Sequence, residues 1–253
     1  MEKVIIKNRH GLKMYVRLTI NESNKKLVFL EHGLSARKEY PHMLVLEELF
    51  AKHGYNVVNF DATNSLNESE SSEMGITPTG HYDDLVDVIN WAKTQDFYIE
   101  PFALVGQSLG ALSVVHYATE SPELVNLLIP CAFPFMSGEV ELKDFFATEI
   151  LKNGFYDKIS KSTGRVLRMK PSWNKDLENF DLTSKIKNIT ASTYVIIGTK
   201  DTEKHINSSR QLFDLLTCKK QYIELDGIPH DLANTERDKE LFSKTIDNIL
   251  SQL

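Results

Sequence analysis

Residues 102–119 read FALVGQSLGALSVVHYAT. The first four form a short apolar run of the kind that fills a strand buried on both faces. From Leu109 onward the pattern becomes helical. Between the two stands Gly106-Gln107-Ser108-Leu109-Gly110, a G-x-S-x-G in the strand–turn–helix setting that this motif requires. Such a turn holds the serine in a strained backbone conformation. Side chains at the flanking positions would collide with the neighbouring strand and helix, which accounts for the glycines. The hydroxyl of Ser108 then stands at the carboxyl edge of a sheet and at a helix N-terminus, where free N–H groups favour developing negative charge. The competing reading is a chance match in which Ser108 only caps the helix.

Outward from this point the chain alternates strand and helix. KVIIK, a turn at residues 8–11 and LKMYVRLTI read as an N-terminal hairpin. The run LVFLEHG at 27–33 is a buried strand, Pro41 opens a helix that ends before Gly54, and NVVNFD is the next strand. An acidic, Ser-rich loop follows, with Glu68 to Glu73 read as a solvated surface segment. A helix is expected from about Thr79 to Lys93. After the quoted stretch come VNLLIPCAF, an irregular aromatic and charged region at about 134–190, and TYVIIG. A helix around Ser208 to Leu216, the strand QYIELDG and a final amphipathic helix, ELFSKTIDNILSQL, complete the chain. Alternation on both sides of one insertion predicts a single domain over 1–253. It would hold a doubly wound, mostly parallel sheet with an antiparallel N-terminal hairpin and a small inserted cap.

A serine hydroxyl needs a base to take its proton. Of the eight histidines, His230 lies in LDGIPHD, after the last expected strand and on the same sheet edge as Ser108. His10 sits in a hairpin turn, His53 ends a helix and His116 lies within one, so those three read as surface or packing residues. An acid at another strand end should orient His230, and Asp201 in YVIIGTKD fits, with Glu203 and Asp226 as competitors. Two N–H donors must hold an oxyanion. The backbone amides of Leu109 and of Leu34, in the turn after LVFLEHG, are the candidates, with His32 as a structural support of that turn.

Composition sets the remaining bounds. The chain has 253 residues, 42% hydrophobic and 25% charged, with a net charge of -6 and a mean hydropathy of -0.28. The acidic balance argues against nucleic acid or an anionic membrane as partner. The first residues hold no apolar stretch of signal-peptide length, and no run approaches the ~18 apolar residues of a membrane span. Cys131 and Cys218 lack a CxxC spacing and read as reduced packing residues of a cytoplasmic protein. The N-x-S/T matches at Asn21, Asn67, Asn188 and Asn207 are then chance patterns. No metal motif, P-loop or dinucleotide fingerprint is present, so no metal or cofactor is expected.

The ordered set HGLS, GQSLG, GTKD and PHD resembles the α/β-hydrolase superfamily, and the arrangement is similar to its small cinnamoyl/feruloyl-esterase-like and serine-aminopeptidase-like hydrolases. The resemblance covers essentially the whole chain. FDATNSLNES resembles the family's Phe-Asp…Gly-x-Ser loop, with the usual glycine replaced by Asn64 or Asn67. WNKDLENFDLTSKI looks like the end of a compact cap between the sixth and seventh strands. The resemblance implies the α/β-hydrolase fold and a serine esterase that cleaves small acyl or aromatic esters through an acyl-enzyme. A thioesterase, peptidase or acyltransferase on the same triad, and a ligand-binding protein without turnover, are the alternatives. The expected partner is a small-molecule ester, with the chain a monomer or homodimer. Phe133, Phe135, Phe145, Phe146, Phe155, Tyr156 and Trp173 form either a core for the cap or a wall of the substrate pocket.

Overall fold

Strands that are apolar on both faces must be covered on both, and this requirement organises the molecule. The computed structural model describes residues 2–21, 23–65, 67–73, 75–137, 145–159, 164–178 and 181–253, with Phe145 described in its backbone only. The strands are β1 (Glu2–Lys7), β2 (Lys13–Thr19), β3 (Lys26–Glu31), β4 (Tyr55–Phe60), β5 (Phe102–Gln107), β6 (Val125–Cys131), β7 (Tyr156–Ile159), β8 (Val166–Met169), β9 (Ser192–Gly198) and β10 (Lys220–Leu225). The helices are α1 (Pro41–Lys52), α2 (Pro78–Ala92), α3 (Leu109–Glu120), α4 (Phe145–Asn153), α5 (Pro171–Leu177), α6 (Glu203–Leu215) and α7 (Glu236–Leu250).

Eight strands form one sheet in the order β1-β2-β4-β3-β5-β6-β9-β10. β1 pairs antiparallel with β2 and β2 with β4; every other neighbour is parallel. Side-chain alternation splits each inner strand between two cores. Leu27 and Phe29 of β3, Leu104 of β5 and Leu128 of β6 pack beneath α2 and α3, through Leu85, Val88, Leu112 and Val115. Val28, Leu30, Val105 and Ile129 face the other way, onto Met43, Leu46 and Phe50 of α1 and Phe242 and Ile246 of α7. From β3 the chain steps outward to β4 and then returns to β5 on the other side. The carboxyl ends of β3 and β5 therefore flank a crevice, the position where open α/β sheets place their ligands.

The fold is the α/β-hydrolase fold expected from the sequence, and the departures are local. α6 begins at Glu203 and not near Ser208, because the Thr202 side chain caps it by accepting from the His205 N–H. α7 begins at Glu236, ahead of the apolar run, on a capping box between Thr235 and Asp238. The stretch expected to be irregular between β6 and β9 contains α4, an antiparallel β7–β8 pair and α5, each too short to announce itself by periodicity.

The acidic loop is exposed as expected at Glu68, Glu70, Ser71 and Glu73, and it is also tied to the body of the fold. Glu68 pairs with Lys3 and with buried Lys38, Glu70 accepts from the Lys13 N–H at 2.8 Å, and Ser69 is buried. Asn64 sits at φ +61°, the left-handed conformation that favours glycine and, after it, asparagine. Among the described residues, no helix is long and apolar enough to cross a membrane.

Candidate active site

Ser108 sits between β5 and α3 at φ +54° and ψ -115°, a conformation that non-glycine residues rarely adopt. Close packing enforces it. A Cβ at Gly106 would come within 2.2 Å of the Gly110 carbonyl oxygen, and one at Gly110 within 2.3 Å of the Glu31 carbonyl oxygen. Both glycines are therefore fixed by backbone approach, and the N-terminus of α3 is pressed against the end of β3. The Ser108 N–H is secured to the Cys131 carbonyl at 2.9 Å.

His230 lies in the loop between β10 and α7. Its Nδ1 is 2.8 Å from Oδ2 of Asp201, whose side chain is fully covered. Among the described residues, neither competing acid, Glu203 nor Asp226, makes a hydrogen bond or ion pair with the His230 side chain. Burial by itself raises the Asp201 pKa, but hydrogen bonds from His205 and His230 outweigh it and hold the carboxyl well below the usual range. An ionised Asp201 makes Nδ1 of His230 the protonated nitrogen and leaves Nε2 as the acceptor, the tautomer that a general base requires.

The structure differs from the sequence expectation in one contact. Ser108 Oγ makes no hydrogen bond to His230. The Gln107 amide nitrogen lies 3.2 Å from His230 Nε2 and donates to the His230 carbonyl oxygen, also at 3.2 Å. Ser108 and His230 nonetheless line the same cavity, together with Leu34 and Gln107.

The Leu34 and Leu109 N–H groups have no acceptor within the protein among the described residues. Leu109 is the first residue of α3, where such a donor has no intrahelical partner. The Leu34 turn is held by His32, which is fully buried. Its Nδ1 donates to the Gly33 carbonyl at 2.8 Å, and its Nε2 accepts from the Ala62 N–H at 3.1 Å. Burial lowers the His32 pKa to about 4, so the ring is neutral and can play both parts. His42 of α1 does the same for the His230 loop, its Nδ1 donating to the Asp231 carbonyl at 2.9 Å. Its pKa is likewise lowered to about 4 by burial. The other histidines set aside from the sequence lie away from this site: His10 in the hairpin turn, His53 beside Asp247, and His116 stacked on Tyr82.

Beside Ser108 a second cavity of about 470 Å³ opens between the sheet edge and the α4–α5 segment. Phe135, Phe146 and Trp173 line it, along with Lys158, Lys204 and His205. Of the other aromatic candidates, Phe133 is buried in the main core, Tyr156 packs on Phe146, and Phe155 is exposed beneath Arg168. The Trp173 indole N–H has no acceptor among the described residues.

The sequence reading missed His205. Its Nδ1 is 3.1 Å from Asp201 Oδ1 and its ring centroid is 4.4 Å from that of His230. The missed signal was Thr202 as a helix cap, which brings the fourth residue after Asp201 back beside it. One oxygen and two nitrogens of Asp201, His205 and His230 fall within 4.8 Å of one another. Hydrogen bonds inside the set already engage these atoms, so the group is a hydrogen-bonded cluster as it stands.

A family model described as the alpha/beta hydrolase fold matches residues 26–148, from β3 into α4. No curated protein matches the chain. Among solved structures, Est1E from Butyrivibrio proteoclasticus with ferulic acid bound is similar over 98% of this chain and 98% of its own. The identity is 17% and the TM-score 0.84. Alpha/beta hydrolase domain-containing protein 10 from mouse is 19% identical, covering 100% and 99%, with a TM-score of 0.79. The enol-lactonase from Burkholderia xenovorans LB400 is 18% identical, covering 98% and 100%, with a TM-score of 0.70. At these identities the likeness is one of fold.

Proposed function

We propose that this chain, an α/β-hydrolase by fold, is a serine hydrolase that cleaves carboxylic esters through an acyl-enzyme. The observation that carries the reading is a serine at a strained strand–helix turn, in one cavity with a histidine held at 2.8 Å by a covered carboxylate. Ser108 Oγ attacks the ester carbonyl carbon as His230 Nε2 takes its proton. For this the Gln107 amide gives up its place at Nε2, an adjustment of the size expected when a substrate tightens an open site. The Leu34 and Leu109 N–H groups hold the oxyanion. His230 then returns the proton to the leaving alcohol, and a water repeats the sequence to free the acid. Asp201 fixes the imidazole and stabilises its charged form.

The segment between β6 and β9 acts as a cap, and the cavity lined by Phe135, Phe146 and Trp173 receives the acyl group. Its apolar, aromatic lining suits small or aromatic acids. That Est1E was solved with ferulic acid is in keeping with this choice. Two free cysteines, one of them buried, suit a cytoplasmic setting.

The test is hydrolysis of p-nitrophenyl esters of graded acyl length by the wild type and by Ser108→Ala. Turnover that vanishes in Ser108→Ala, with a preference set by acyl size, supports the reading. Equal turnover in both proteins overturns it.

A further inference from the structure

Asp201 has two carboxylate oxygens, and an imidazole stands on each. Oδ2 meets His230 Nδ1 at 2.8 Å and Oδ1 meets His205 Nδ1 at 3.1 Å. From this geometry we infer that His205 is a positioning residue for the Asp201–His230 pair, setting both the orientation and the basicity of the histidine beside Ser108. The inference rests on the triad reading of Ser108, His230 and Asp201.

Three observations carry it. First, His205 is itself held in place. It is the third residue of α6, its N–H donates to Thr202 Oγ1 at 3.3 Å, and its Nδ1 lies 2.6 Å from the same oxygen. A neutral ring here carries its proton on Nδ1, shared between Thr202 Oγ1 and Asp201 Oδ1, because an unprotonated Nδ1 would face the carboxylate with a lone pair.

Second, the two donors clamp the carboxylate from both sides. The Thr202 N–H adds a third bond to the carboxylate, the second on Oδ1, at 2.6 Å. With Oδ1 so anchored, the carboxylate cannot rotate away and Oδ2 stays directed at His230. Third, the His205 ring lies against that of His230, with centroids 4.4 Å apart and planes at 37°, which restricts rotation of the His230 ring.

The arrangement also has an electrostatic sign. A donor on Oδ1 draws charge from the carboxylate, so less remains to stabilise a protonated His230. Burial and the neighbouring His230 both lower the His205 pKa, and Asp201 only partly reverses this, which favours the neutral ring. The other charged groups around the pair are Lys204 of α6, His42 of α1, Lys158 of β7, and Asp231. Among the described residues, His205 is the second imidazole placed against the Asp201 carboxylate.

The experiment compares His205→Phe, which keeps a ring and loses the donor, with His205→Asn, whose amide nitrogen can stand where Nδ1 stood. The readout is kcat and KM against pH on a short p-nitrophenyl ester, with thermal melting to confirm folding. For His205→Phe, kcat is expected to fall about 3- to 30-fold, and the acid limb of kcat/KM to move up by about half to one pH unit, the scale of one lost bond to a carboxylate. His205→Asn should restore most of both. A folded His205→Phe with an unmoved acid limb overturns the inference, as does a His205→Asn no better than it. If Ser108→Ala keeps its activity, the triad reading falls instead, so the two failures are told apart.

Discussion

Lys38 offers the sharpest test of the energetics. Its side chain is 1% exposed and its Nζ lies 2.6 Å from Oδ2 of Asp61, itself fully covered. The Lys38 backbone N–H donates to the other oxygen, Oδ1, at 2.8 Å. Glu68 and Glu39 approach the same ammonium, and the Asn59 amide donates to the Lys38 carbonyl. Lys38→Met would keep most of the stem's packing and delete the charge. Among the described residues, Asp61 would then be a buried carboxylate with amide donors alone, the N–H of residue 38 and the Asn67 side chain.

Removing one partner of a buried pair costs about 3–5 kcal/mol, because the remaining charge is stranded. In a chain of this length that is a fall in Tm of roughly 10 °C. Urea denaturation of Lys38→Met, Asp61→Asn and the double variant closes a cycle. The double variant should be more stable than the sum of the single losses by about 1–3 kcal/mol. Lys3→Ala, which breaks the exposed contact to Glu68, serves as a control and should cost under about 1 kcal/mol. A loss below about 1 kcal/mol for Lys38→Met, or strictly additive losses, would refute the reasoning.

Other outcomes follow from the same geometry. Gly110→Ala drives a methyl within 2.6 Å of both the Glu31 and His32 carbonyl oxygens and should cost about 3 kcal/mol, read by melting, with loss of Ser108 reactivity. Asp201→Asn should fold normally yet lower kcat by about 10³- to 10⁴-fold through loss of the correct imidazole tautomer; a change under tenfold would count against its role. Acid stability should fail early. His32 and His42 bind a proton near pH 6.5 when unfolded and only near 4 when folded, so their neutral burial stabilises fully above 6.5 and is lost as pH falls towards 4. The loss is at most about 3 kcal/mol for each, and urea midpoints flat between pH 7 and 4.5 would contradict it. Trp173→Ala, which widens the cavity beside Ser108, should shift preference towards longer acyl chains, measured by kcat/KM on a graded ester series.

The site is legible in the sequence where its chemistry is local. Ser108 needs its two glycines within five residues, and Asp201 and His230 each follow a strand whose apolar run is plain. The turn proposed to hold the oxyanion is local too, since Leu34 comes three residues after β3 ends at Glu31. What stayed hidden depends on contacts across the chain. Lys38 and the acidic loop are about thirty residues apart, and neither segment alone says that one neutralises the other. The loop is exposed as read, but its tether to Lys38 could not be seen. Gln107 sits inside the recognised motif, but its amide meets His230 from 123 positions away. His205 was missed for a local reason, since the charged start of α6 masked a helix that Thr202 caps. The short elements between β6 and β9 escaped because stretches of four to nine residues carry too little periodicity.

The central claim is that Ser108 is a nucleophile activated by His230. It is tested most directly by reacting the protein with a fluorophosphonate and locating the adduct by peptide mass. One phosphonyl group per chain is expected, on Ser108, absent from Ser108→Ala and formed far more slowly in His230→Ala. An adduct on another residue, or a folded wild type that takes up none, would contradict it.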